Sequence, residues 1–394
     1  MSAEIRRELT ARVEASLDRL IAVTQRLVGV ASPNPPSDTF EVGKMAEELL
    51  RAIPGVEVER IEPAPRIVSL IARIKGKGPG RRLIFNGHLD TVGVEGMTML
   101  PFGGRLEGGR VFGRGACDMK GPIAAALAAG SAIHRAGVQL GGSLHYHLAA
   151  DEEVGGVHGT KVMWERGMID QDACIVGEPT ELQLGLAERG GAWFTVVTSG
   201  TAAHGSQPDR GVNAITSMAR FVLRANEVLP DRRHPLVGPP TVNVALIEGG
   251  HAPNAVPDRC VADVDRRVIP GETFEEIEAG FTDLMARLRA EHPEVRIEAS
   301  CREWTLPAEA PADSAIAKLC RAAVQQDRGA RPADVGFTGI TDARFYINDA
   351  SIPTVILGPG SLAQAHTAGE FVEVDDLVAA ARIYAGVFVR FLGA

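Results

Sequence analysis

The stretch Ser143-Leu144-His145-Tyr146-His147-Leu148-Ala149-Ala150-Asp151-Glu152-Glu153-Val154-Gly155-Gly156 reads as an apolar-rich strand that stops at three adjacent acids and a glycine turn. Neighbouring carboxylates repel one another. Two like charges about 4 Å apart cost roughly 4 kcal/mol at an effective dielectric near 20, unless they splay into water or a cation sits among them. An isolated acidic triplet is more often a solvated loop than a site. At the end of a strand and beside glycines, a metal is the sharper reading, and the rest of the chain has to decide between the two.

Three further runs end in the same manner. Leu83-Ile84-Phe85-Asn86-Gly87 leads to His88-Leu89-Asp90, and Ala173-Cys174-Ile175-Val176-Gly177 leads to Glu178-Pro179-Thr180. Residues 353–357 lead through Gly358-Pro359-Gly360 to His366. Strand-like runs alternating with helical ones predict an α/β fold with a mixed, mainly parallel sheet flanked by helices. Open sheets of this kind place ligands beyond the carboxyl ends of their strands, so these four strand ends are expected to face one site. Between them the pattern changes: 191–199 and 241–248 read as strands, 213–227 and 273–289 as helices. The expected division is a catalytic domain of residues 1–187 and 301–394, interrupted by an inserted α+β sandwich, 188–300.

Composition narrows the partners. A chain of 394 residues exceeds what one hydrophobic core usually supports. A net charge of -9 argues against nucleic acid or an anionic membrane as partner and favours a small molecule or short peptide. The first 20 residues read as an amphipathic helix rather than a signal peptide. The Ala-rich run 123–133 is too short to span a bilayer. Five cysteines without a C-x-x-C pair fit a reducing compartment, so a cytoplasmic protein is expected.

The ligand candidates are each ambiguous alone. His88 and Asp90 stand two apart on one side of an extended segment, either as a metal ligand with its supporting acid or as a local hydrogen bond. Asp118 precedes a helix that Pro122 can open, so it either favours the helix dipole or bridges two metals. Glu178 is held out of a helix by Pro179, and His366 follows a glycine-rich turn. An imidazole and a carboxylate per metal with a shared Asp is a donor set suited to zinc. His145 and His147 form a rival H-x-H pair, but they lie inside the strand rather than at its end and read as packing.

Taken together, Gly87-His88-Leu89-Asp90-Thr91, the glycine-rich segment 113–121, Asp151-Glu152-Glu153, Gly177-Glu178-Pro179-Thr180 and His366-Thr367-Ala368-Gly369-Glu370 resemble one family in order along nearly the whole chain. It is the co-catalytic zinc amidohydrolases that include acetylornithine deacetylase, succinyl-diaminopimelate desuccinylase, aminoacylase and glutamate carboxypeptidase. The resemblance implies two zinc ions, with cobalt or manganese as substitutes. His88, Asp118 and Glu178 would hold one, and Asp118 would bridge to a second held by Glu153 and His366. Glu152 would be the general base for attack of zinc-bound hydroxide on an amide, and Asp90 would orient His88.

The resemblance also makes the inserted domain a lid and a homodimer interface. There His204, in Gly200-Thr201-Ala202-Ala203-His204-Gly205-Ser206, would reach the oxyanion across the dimer. Asn254 and Arg267 resemble substrate contacts; an arginine fork suits an α-carboxylate, although Arg267 reads equally as a surface partner of Asp265. Gly339 and Thr341 lie in the pocket-lining loop Gly339-Ile340-Thr341-Asp342-Ala343-Arg344, with Thr341 where serine is frequent. Glu178 sets the chain apart from the carbamoylase branch, which carries histidine there. The implied activity is deacylation of N-acyl-L-amino acids; a dipeptidase or glutamate-type carboxypeptidase fits the same centre, as does a binding homologue without chemistry.

Overall fold

The computed structural model describes residues 1–393 and divides into two compact units. The first comprises Met1–Leu186, Ala310–Val335 and the chain from Thr341 onward; the second comprises Ala187–Glu309 and Gly336–Ile340. The second unit runs past residue 300 because the strand Arg296–Thr305 pairs along its length with Gly190–Ser199.

The first unit is built on a mixed sheet in the order Val56–Ala64, Ile67–Ile74, Ser143–Ala149, Arg82–His88, Ala173–Val176, Thr354–Ile356, Leu184–Glu188. The four central strands run parallel, and the antiparallel pairings lie towards the edges. This is the expected α/β architecture with a parallel centre. It has a direct consequence: the four strands that lead to the acidic triplet, His88, Glu178 and His366 all have their carboxyl ends on the same side of the sheet.

One face of these strands is apolar. Phe85 and Tyr146 are buried there beneath the helices Gly121–Arg135 and Val374–Leu392. Both helices carry small side chains inward, Ala124, Ala125 and Ala129 on one and Ala380, Ala381 and Ala385 on the other. Gly130 is required at this contact, because a Cβ there would sit 2.1 Å from the Tyr146 hydroxyl, which donates to the Ala126 carbonyl at 3.1 Å. The other face is polar. His145 and His147 are buried within the strand, His145 against Ser143 and Gln171 and His147 against the Tyr346 hydroxyl at 3.2 Å. Burial lowers both histidines, to about 4 and about 3, so each is held neutral.

The amphipathic N-terminus is two helices rather than one, Ala3–Glu14 and Leu17–Val28. The break falls at Ser16, whose hydroxyl donates to the Val13 carbonyl at 2.8 Å and competes with the helical ladder. Among the described residues no helix is long and apolar enough to cross a membrane.

The second unit is a four-stranded antiparallel sheet in the order Thr241–Gly249, Arg259–Val268, Gly190–Ser199, Arg296–Thr305, with the helices Ala214–Arg224 and Phe274–Glu291. Its core centres on Phe194 stacked against Phe281, ring centroids 4.0 Å apart. Thr273 begins its helix with a reciprocal capping box to Glu276, the feature that starts this helix where the sequence places it.

Candidate metal centre

His88 is the last residue of its strand and is 1% exposed. Its Nδ1 faces the backbone carbonyl of Asp90 at 3.0 Å, a hydrogen bond that turns Nε2 outward. That atom meets Asp118 Oδ1 at 2.8 Å and Glu178 Oε1 at 3.6 Å. Glu178 follows the neighbouring parallel strand, so sheet register brings the pair together. Asp118 uses its second oxygen elsewhere: Oδ2 lies 3.3 Å from His366 Nε2, and the same nitrogen lies 3.2 Å from Glu153 Oε2. One carboxylate therefore spans two imidazoles, each with a further acid beside it.

The Asp90 carboxylate lies 3.8 Å from His88 Nδ1, farther than its own carbonyl. Its oxygens instead accept the backbone N–H groups of Glu152 and Glu153, both at 3.2 Å, and the amide of Asn34 at 2.9 Å. Asp90 thereby seats the acidic triplet against the strand that carries His88. Within the triplet, Asp151 faces away from the cluster, accepting from Ser37 at 2.9 Å and pairing with His158 at 3.0 Å. Glu153 Oε1 accepts from Val92 N at 3.0 Å, leaving Oε2 for His366. The three acids are divided by their partners, not solvated as a set.

The donor set fits divalent cations. Ligand atoms of His88, Asp118 and Glu153 lie within 4.8 Å of one another, and so do those of His88, Glu152 and Glu178. Burial, followed by neighbouring acids, pushes Glu178 well above the usual carboxylate range; burial also raises Glu152 and Glu153, against the pull of the histidines. Burial opposes ionisation of Asp118 as well, but hydrogen bonds from His366 and His88 hold it below its ordinary value. His366 is raised to about 10 by its bonds to Asp118 and Glu153. Four acids, Asp118 and Glu178 buried and Glu152 and Glu153 partly so, against two imidazoles leave negative charge that bound cations would neutralise. Nitrogen and oxygen donors without thiolate suit zinc and its first-row neighbours.

Three neighbours were not assigned a role from the sequence. Asn34, in a proline-rich loop, bridges Asp90 and Asp151; nothing in its local pattern marks it. Asp342 and Arg344 lie inside the 339–344 motif but carried no role. Arg344 donates to the Gly155 carbonyl at 2.6 Å, which pins the turn after the acidic triplet, and Asp342 accepts from Thr160 at 2.6 Å. Gly156 fits over them with φ of +68°, where a Cβ would meet Asp342 at 2.9 Å. Thr341 is fully buried, its hydroxyl accepting from Ala343 N at 3.0 Å.

The remaining candidates belong to the second unit. His204 is exposed, with Nδ1 2.8 Å from the Ser206 hydroxyl, and its segment bridges to that of Asn254, whose carbonyl accepts from Gly205 N at 2.8 Å. Arg267 pairs with Asp265 at 3.0 Å, the surface partnership that the sequence allowed. Gly339 lies in the short segment Gly336–Ile340 that belongs to this unit.

Residues 84–390 match the peptidase family M20/M25/M40, and the chain belongs to that family. It is 33% identical over 333 residues to acetylornithine deacetylase of Myxococcus xanthus, spanning 83% of this chain and 84% of that protein. It is 28% identical to an N-formyl-4-amino-5-aminomethyl-2-methylpyrimidine deformylase of Halalkalibacterium halodurans across 94% of both chains. Among solved structures, human carnosine dipeptidase 1 superposes with a TM-score of 0.80 at 15% identity, covering 98% of this chain and 99% of that one. A Bacillus subtilis protein described as a dinuclear metal-binding peptidase of the M20 family superposes with a TM-score of 0.73 at 16% identity, covering 96% and 99%. The chain is thus a hydrolase of amide bonds.

Proposed function

We propose that this enzyme removes the acyl group from N-acyl-L-amino acids, using two zinc ions. The observation that carries the metal-dependent chemistry is Asp118, one carboxylate set between His88 and His366 with Glu178 and Glu153 beside them. The acyl-amino-acid assignment draws on the two relatives above, both named for removing an acyl group from nitrogen. Two divalent ions, when bound, supply Lewis acidity and bring the pKa of water near about 7.

His88, Asp118 and Glu178 form one ligand set, and Asp118, Glu153 and His366 the other. Glu152 stands beside His88 and Glu178. Its carboxylate takes the proton of the attacking water and returns it to the departing amine nitrogen, so the products are a carboxylate and a free amino acid. Burial raises its affinity for that proton, the direction a shuttle requires. Asp90 holds Glu152 by its backbone N–H, which fixes the base relative to the ligand strand.

In the second unit, Arg267 would have to exchange Asp265 for the substrate carboxylate, with Asn254 and Gly339 as the further substrate contacts proposed there, while Thr341 is the one proposed in the first unit. The edge strand Thr241–Gly249 exposes Leu246 and Ile247 and offers an unpaired edge to a second copy, which supports a homodimer through this unit. His204 would then serve the oxyanion of the partner subunit. The test is a panel of N-acetyl, N-succinyl and N-formyl amino acids beside dipeptides, read as release of free amine with zinc, cobalt or manganese added to stripped protein. Turnover of dipeptides alone would replace the deacylase reading with a dipeptidase. A fully active monomer by sedimentation, or His204→Ala with an unchanged rate, would remove the role of His204 across the dimer.

A further inference from the structure

The motif that ends at Glu370 holds a residue with no part in the ligand sets. Glu370 is fully buried, four residues after His366, in a region already crowded with acids. Its side chain reaches the other ligand loop. Oε1 accepts the backbone N–H of Cys117 at 2.9 Å and of Asp118 at 3.1 Å, and Oε2 accepts from Arg114 Nη1 at 2.6 Å. Arg114 is buried as well and uses Nε on the Gly93 carbonyl at 3.0 Å.

The backbone reinforces the link. The strand Phe371–Glu373 pairs antiparallel with Arg110–Phe112, and Gly113 N donates to the Glu370 carbonyl at 3.0 Å. The two loops carrying Asp118 and His366 therefore leave the same short ladder. Beyond that point His366 belongs to no strand or helix, and its backbone has φ of +62°.

We propose that Glu370, locked by Arg114, is a positioning residue that sets the reach between Asp118 and His366 and so determines affinity for the second metal ion. The proposal rests on the two-metal reading above. A buried acid beside the bridging Asp118 is electrostatically unfavourable, since both carboxylates are withdrawn from water. A fold that needed only packing here would be served by an apolar side chain. The carboxylate does what an apolar group cannot, holding the N–H of the bridging ligand and joining its loop to that of His366. The first set is less exposed to this control, since His88 closes one strand of the sheet and Glu178 follows its neighbour.

The experiment is calorimetric titration of zinc into metal-stripped full-length protein, with metal retained after dialysis measured by elemental analysis. Wild type is expected to bind two ions. Glu370→Gln keeps an acceptor for the two N–H groups but turns an amide against Arg114; the second ion should weaken about 10- to 100-fold, the range typical of residues supporting metal ligands, with less than threefold change for the first. Arg114→Lys, which keeps one donor, should weaken the second ion less than Arg114→Gln does, and this pair serves if Glu370→Gln fails to fold. Two ions bound with unchanged affinities in all folded variants, or equal loss at both sites, would overturn the proposal. A wild-type protein that binds no ions would instead remove the two-metal reading, and this inference with it.

Discussion

The two histidines of the centre contrast sharply. His88 closes a parallel strand, is 1% exposed, and has its ring fixed by the Asp90 carbonyl. Its neighbour across the ladder is Ala149, the last residue of the strand that delivers the acidic triplet. His366 has a side chain 50% exposed, sits on a loop with left-handed backbone, and meets Asp118 and Glu153 through a single nitrogen. One imidazole is placed by the cooperative sheet, the other by a few local bonds. The difference teaches that the proposed two-metal centre would be half preorganised: the His88 side exists once the sheet forms, while the His366 side must be assembled.

The largest effect expected lies on the rigid side. Glu152→Gln should keep both ions and lower kcat by about 10^3-fold, within the range for loss of a positioned general acid and base. A fall of less than tenfold in a fully metallated variant would put the base elsewhere. Next come the two histidines themselves, compared in metal-free protein by urea unfolding. His88→Ala removes the partner of buried Asp118 and Glu178 and should cost about 3 to 5 kcal/mol, as breaking buried charged pairs does. His366→Ala removes a half-exposed imidazole and lets water into the space beside Asp118 and Glu153, so it should cost about 1 kcal/mol or less. Equal losses would erase the contrast. Smaller again is the order of filling: in wild type, zinc should enter the His88 set first, at least about tenfold tighter than the His366 set. A His88→Ala protein that retains its tight ion would reverse that order.

The same contrast governs what could be read from the sequence. The parallel sheet and the strands that converge on the candidate centre were legible because strand ends carry their chemistry in the next two or three residues, as in Gly87-His88 and Gly177-Glu178. The sheet then brings them together without further instruction. The loop side was legible only as a motif. No periodicity marks residues 357–370, and the partner of Glu370 is Arg114, 256 residues away. Asn34 was invisible for a related reason, since one amide in a proline-rich loop resembles any turn residue until its contacts with Asp90 and Asp151 appear. The break at Ser16 was missed because the apolar period continues across it, while a single hydroxyl decides the backbone. Asp90 gave the right neighbourhood through a different bond: the His88–Asp90 spacing reads as carboxylate to imidazole, yet the backbone carbonyl is closer.

The smallest effect concerns what the rigid side rests on. His147 pairs with Asn86 in the ladder, two residues before the His88–Ala149 pair, and burial lowers its pKa to about 3. In the unfolded chain a histidine titrates near about 6.5. Between these values the unfolded state binds the extra proton, so the stability contributed by neutral His147 is complete above about pH 6.5 and is lost progressively as pH falls towards 3. Going from pH 7 to pH 5.5, this group alone should remove about 1 kcal/mol. The carboxylates of the centre titrate too, but they are common to wild type and His147→Gln and cancel in the difference. Urea unfolding of metal-free protein at both pH values should therefore show wild type losing about 1 kcal/mol more than the variant, whatever the variant costs at pH 7. Parallel losses would mean that the strand relaxes to admit a charged imidazole, and that the His88 side is less rigid than its burial implies.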